Sequence, residues 1–294
     1  MTTVLRYSQT FVRCTGTRAF MCGGVFLYSI LIPVLGIPAA IEANECKPVE
    51  PQSAEVVLSE AQTIKLQAEW KRAIDQDKTS ELWRLLGYVD AGKINIKSTN
   101  DKGKTALMAA VKTGDQCLLA ELLQRGLSIS DKAYTGGTAL MYAVLGNQAE
   151  MIDLVLLREQ ELNSQSANGW TAVMIAAAKG FKGSMQQLYK AGADINIPDV
   201  YQWTPLMRAI DNRHSSVVNY LLSLPGVDVR HINENGSTTL HIAAQTGDRA
   251  LVTRLLELDA DVTATDKNGF TASHVAIENN YPGIAEVIAN SRRK

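Results

Sequence analysis

The stretches that decide the fold are GKTALMAAVKTGD (103–115), GGTALMYAVLGNQ (136–148), GWTAVMIAAAKGF (169–181), QWTPLMRAIDNRH (202–214), GSTTLHIAAQTGD (236–248) and GFTASHVAIENNY (269–281). Their threonines stand at Thr105, Thr138, Thr171, Thr204, Thr238 and Thr271, so the spacings are 33, 33, 33, 34 and 33 residues. Such a register is the mark of one supersecondary unit copied along the chain. Within a copy, Leu107, Ala110 and Val111 recur at helical spacing after the threonine, as one face of a short helix. Leu118, Leu119, Leu122 and Leu123 form the stripe of a second helix. Between the two lies Gly114, repeated as Gly180 and Gly247, where a helix ends with positive φ. Asn147 and Asn280 replace that glycine tolerably, whereas Arg213 predicts a different turn in the fourth unit. The one extra residue of the 34-residue interval is placed at Leu224-Pro225-Gly226, which already reads as a loop.

The pattern resembles the ankyrin repeat, a turn followed by T-P-L-H-x-A on a 33-residue period. Trp203-Thr204-Pro205-Leu206 and Thr238-Thr239-Leu240-His241-Ile242-Ala243-Ala244 match it most closely. The expected fold is therefore all-α, a solenoid of stacked helix-turn-helix units. No single unit can bury both helices, so stability arises between neighbours and the ends need polar caps. Residues 101–294 are assigned to six repeats and 59–100 to an N-terminal capping unit. Ser59 and Gln62 read there as a capping box before a helix through Trp70 and Ile74. The last unit breaks its pattern at Asn279-Asn280 and Pro282 and ends in Arg292-Arg293-Lys294, a solvated basic tail.

Ahead of the array, residues 44–58 read as a linker and 1–43 as a signal peptide or membrane anchor. Phe20 to Ile41 is free of charge for 22 positions, with Arg6, Arg13 and Arg18 upstream. That polarity fits a secretory signal, with cleavage after Ala40 or Ala43, and the length also permits an uncleaved span at 20–41. Either outcome puts the repeats outside the cytoplasm, periplasmic or secreted. A presequence remains the third reading, since residues 1–41 lack Asp and Glu. Four cysteines are too few for a disulfide scaffold. Cys14 and Cys22 fall in the N-terminal segment, while Cys46 and Cys117 are read as ordinary thiols.

Catalytic and cofactor signatures are missing from the sequence. Gly103-Lys104-Thr105 imitates the end of a phosphate-binding loop, but the glycine required five residues earlier is Ser98. His241 and His274 occupy a register position that holds Met108, Met141, Met174 and Met207 elsewhere, so both are read as packing residues. His214 and His231 lie in no ligand spacing, and the expectation is no enzyme, no metal and no cofactor. A net charge of −1 gives no electrostatic ground for nucleic acid. Asn235-Gly236-Ser237 is a glycosylation acceptor only on a eukaryotic secretory route and otherwise a turn.

The resemblance implies a protein partner held on a concave face of turn tips and first helices, by a chain expected to be monomeric. By register the tips are Lys104, Gly137, Trp170, Trp203, Ser237 and Phe270, with Tyr134 and Tyr201 just before theirs. The helix positions are Lys112, Thr113, Leu145, Lys179, Asp211, Asn212, Gln245, Thr246 and Glu278. Large rigid aromatics dominate many interfaces, which singles out Trp170, Tyr201 and Trp203. An exported binding module is the leading reading, with a secreted effector of host-cell proteins as the alternative.

Overall fold

The computed structural model describes residues 58–158 and 161–291. Residues 49–294 cluster as one compact unit, which the following concerns. The proposed signal or anchor at 1–43, the linker up to residue 57 and the tail from Arg292 lie outside the described residues. No helix among the described residues is long and apolar enough to cross a membrane.

The array is all-α. Helices α1 (Glu60–Asp75) and α2 (Thr79–Asp90) form the first unit. Six hairpins follow: α3 (Ala106–Thr113) with α4 (Gln116–Gln124), α5 (Ala139–Gly146) with α6 (Ala149–Leu156), and α7 (Ala172–Lys179) with α8 (Lys182–Lys190). The last three are α9 (Pro205–Asp211) with α10 (Ser215–Leu221), α11 (Thr239–Thr246) with α12 (Arg249–Glu257), and α13 (Ala272–Glu278) with α14 (Pro282–Ser291). Each first helix packs on its own second helix and on the first helix of the next unit.

The recurring threonine is the N-cap of each first helix. Thr105, Thr138, Thr171 and Thr204 accept, through Oγ1, the amide N–H of the residue three further on, at 3.2, 3.4, 3.1 and 3.3 Å. That satisfies a donor the first turn leaves without a helical partner. Ser59 and Gln62 form the expected capping box at the start of α1. The Leu206 layer is buried as the register requires, with Leu107, Leu140, Val173, Leu206 and Leu240 each at 1% exposure or less.

Three expectations change. Arg213 does not alter its turn: it adopts φ 58°, as Gly180 does at 73° and Gly247 at 81°. Backbone geometry at this position is dictated by packing of the next helix, and the side chain accepts it. Pro282 does not break the last unit either, and Asn280 replaces the turn glycine as expected. Asn280 makes the same left-handed turn at φ 65°, and Pro282 opens α14 at a first-turn position that needs no N–H. Finally, Cys117 is not a free thiol but disulfide-bonded. Cys14, Cys22 and Cys46 lie outside the described residues. The extra residue falls where expected, between Leu221, still in register with Leu188, and the left-handed Gly226.

Candidate protein-binding site

The turn tips are built by a repeated hydrogen-bond pattern. In every repeat the amide five residues before the threonine donates to the carbonyl just before it, from Asn100 to Lys104 through Asp266 to Phe270. Neighbouring tips are then tied by one backbone bond per interface. Tyr134 donates to the Lys102 carbonyl at 3.0 Å, Ala167 to Thr135 at 2.7 Å, Val200 to Asn168 at 3.2 Å, Glu234 to Tyr201 at 3.1 Å and Lys267 to Asn235 at 2.9 Å. Tip positions are therefore held by backbone, leaving their side chains to vary.

At the fourth tip the buried Asp199 makes the site. Its Oδ1 accepts the amides of Tyr201 and Trp203 at 3.0 and 2.9 Å. Its Oδ2 takes the Arg208 guanidinium, whose Nε donates at 3.2 Å. Arg208 lies between two indoles, 4.5 Å from the Trp203 ring centroid and 5.9 Å from that of Trp170. A guanidinium over an aromatic face is attracted by the ring quadrupole, by about 0.5–2 kcal/mol. Two of the three aromatics singled out by sequence are thus brought together and half-buried, and Tyr201 beside them is half exposed at 52%. Asp199 and Arg208 were not picked from the sequence. The available signal was Arg208 itself, a charge where other units carry Ala109, Tyr142, Ile175, Ile242 and Val275.

Next to this group, between the second and third repeats, is an apolar slot of about 340 Å³. Tyr142, Leu145 and Ile175 line it with Trp170 and the bare backbone of Gly137. Lys179 is exposed at the end of α7, and Asp211 and Asn212 are exposed at the end of α9, with Asn212 Nδ2 donating to the Arg208 carbonyl at 2.9 Å. Tyr134 is exposed at 76% on the second tip. Phe270, at 42%, stands apart on the sixth.

Lys104 is withdrawn from the face. It is buried, donates to the Ile74 carbonyl at 2.9 Å and pairs with Asp77, which also binds Lys112 at 2.7 Å. Burial pushes the Lys104 ammonium below its ordinary pKa, against the opposing pull of Asp77. This pair joins α1 to the first repeat. The histidines are structural, yet they do more than fill space. His241 Nδ1 accepts the Thr238 amide at 3.2 Å, and its Nε2 donates to the Phe270 carbonyl of the next unit at 3.0 Å. His274 repeats the first bond at 3.2 Å but is exposed, because no described unit follows it. His214 Nε2 donates to the Ala178 carbonyl of the preceding unit at 3.0 Å and stacks over Gly180.

Among the described residues no group of three or more His, Cys, Asp or Glu is placed to hold a metal. A stack of capped helix pairs with aromatic tips defines a repeat-array interaction module. The family model for ankyrin repeats matches residues 72–166, 146–233 and 223–293, and the chain belongs to the ankyrin-repeat family. The first match begins near the end of α1 and takes in α2.

Relatives share this module and little else. The chain is 38% identical over 86 residues to alpha-latrotoxin-Lg1a of Latrodectus geometricus, covering 29% of this chain and 6% of that protein. It is 35% identical over 88 residues to diacylglycerol kinase zeta of Rattus norvegicus, covering 30% and 10%. Zygote-specific protein 3 of Chlamydomonas reinhardtii is 31% identical over 99 residues, covering 34% and 26%. The chain thus spans about a quarter or less of these relatives' lengths. The repeats make it a protein–protein interaction module, of a kind typically non-catalytic even where, as in the kinase, an enzyme carries it.

Proposed function

We propose that this chain is an exported or membrane-tethered binding module that holds a protein partner on the tips and first helices of its second to fourth repeats. The observation that carries the binding face is the Trp170–Arg208–Trp203 stack beside the exposed Tyr201. Rigid aromatics already fixed in place lose little entropy on binding and can be desolvated at small cost. Export is supported by the uncharged stretch 20–41 behind three arginines.

Cell fractionation with N-terminal sequencing tests the compartment. A mature protein beginning near Ile41 or Asn44 outside the cytoplasm is the expected result, or full-length protein in the membrane fraction if the segment stays. Soluble full-length protein in the cytoplasm would refute export. For the face, a partner captured from the native compartment is titrated with Tyr201→Ala, which leaves the stack intact. Affinity should fall about 30-fold, the loss of about 2 kcal/mol expected of a dominant contact. Lys190→Ala on the second helix α8 should leave affinity unchanged, and the reverse pattern would refute the face.

A further inference from the structure

Gly137 is the tip position that carries Lys104, Trp170, Trp203, Ser237 and Phe270 in the other repeats. Its φ lies outside the left-handed region, so the backbone does not demand glycine here. What glycine supplies is space. A Cβ at this position would stand 3.3 Å from Tyr142 Cε2, at the mouth of the slot. The floor is unusual as well. Leu145, 38% exposed, takes the register position held by Lys112, Asp211, Gln245 and Glu278 on most other first helices. A volume of about 340 Å³ is at the lower limit of ligand pockets, about 300–1,000 Å³, and suits one large side chain.

Charge decides what surrounds that side chain. From the fourth residue before each threonine to the eighth after it, the second and third repeats expose no carboxylate on this face. Lys179 stands one helical turn beyond Ile175 at the slot's far edge, with no ion-pair partner among the described residues. Lys112 flanks the near side, held by Asp77. In the same window carboxylates stand on the repeats to either side, Asp101 on the first and Asp211 on the fourth.

We propose that the slot between the second and third repeats takes one large apolar side chain from an extended, acidic segment of a protein partner. Gly137 admits the side chain, and Lys179 selects the acidic residues beside it. This inference rests on the protein-binding reading above and names the partner's chemistry. Cations at the rim of an apolar pocket favour an anionic neighbour and disfavour a cationic one, so the discrimination falls as salt rises.

The probes are fluorescein-labelled nine-residue peptides with a central Trp between Glu/Ser flanks, the same peptide with Lys/Ser flanks, and the Glu/Ser peptide with a central Ala. Fluorescence anisotropy with the full chain should show the acidic Trp peptide binding at least tenfold more tightly than either control. Gly137→Leu, which fills the slot, should remove that binding, and Lys179→Glu should reverse the preference between flanks. If Gly137→Leu unfolds the protein, Leu145→Glu puts a repelling charge on the slot floor from an exposed position and should do the same. Equal or tighter binding of the Lys peptide, or acidic-peptide binding untouched by these variants, would overturn the proposal. So would a dimer in sedimentation that Gly137→Leu dissolves, which assigns the slot to a second copy. Partner binding that falls with Tyr201→Ala but ignores Gly137→Leu and Lys179→Glu would sink this inference and leave the protein-binding reading standing.

Discussion

Replacing Arg213 with glycine should stabilise the array, although it deletes a whole charged side chain. Arg213 holds φ 58°, a conformation that places an L-residue's Cβ against its own carbonyl and costs about 1–2 kcal/mol. Glycine removes that strain but loses about 0.5–1 kcal/mol of extra backbone entropy on folding. The side chain itself is exposed and makes no ion pair among the described residues, so its loss adds little. The net gain is about 0.5–1 kcal/mol, or about 1–4 °C in Tm for an array of this size. Urea titration and thermal melting followed by circular dichroism measure it. Asn147→Gly, at the equivalent turn with φ 52°, should instead lose stability, because asparagine visits this region readily and its Oδ1 accepts from the buried Ser184 hydroxyl at 3.1 Å. Gly180→Arg should lose more than Arg213→Gly gains, since its Cβ would lie 2.6 Å from His214 Nδ1. An unchanged or lowered midpoint for Arg213→Gly would mean that the fourth unit does not use the common turn.

Two other changes follow from particular buried groups. Thr239 occupies a position held by Ala106, Ala139, Ala172 and Ala272, and its buried Oγ1 has no hydrogen-bond partner among the described residues. Thr239→Ala should therefore raise stability by about 1 kcal/mol, most of it the relieved desolvation of the hydroxyl, and a destabilised variant in urea titration would refute the reading. Burial holds the His241 pKa below its ordinary value, against the pull of the Phe270 carbonyl. The unfolded chain then takes up the proton first, so this contribution to stability is complete above about pH 6.5 and falls as pH drops towards the folded pKa. His241→Met, matching four other repeats, should remove that share of the acid sensitivity, and denaturation at pH 7 and pH 5 should show a smaller drop for the variant.

The chain's own sequence determined the architecture, because a unit copied at fixed spacing must repeat its local solution. Threonine before an apolar helix, glycine after it and a leucine stripe beyond are each legible from neighbours in sequence. The face of tips and first helices, with Trp170, Tyr201 and Trp203 on it, followed from register and the family resemblance. What sequence could not give was the effect of one unit on the next. Arg213 read as a broken turn because propensity is local, whereas the turn is imposed by the helices it joins. Lys104 read as a tip side chain, but Asp77, 27 residues away, draws it inside. Asp199 and Arg208, nine residues apart in one repeat, were not picked out because what gives Arg208 its place is also Trp170 of the preceding unit, 5.9 Å from its guanidinium. The slot at Gly137 is a volume between two repeats, defined by side chains that meet only when the units stack. Contacts within a repeat are short-range and periodic, so the sequence displays them; contacts between repeats depend on which side chain each neighbour presents, and only the assembled array decides that.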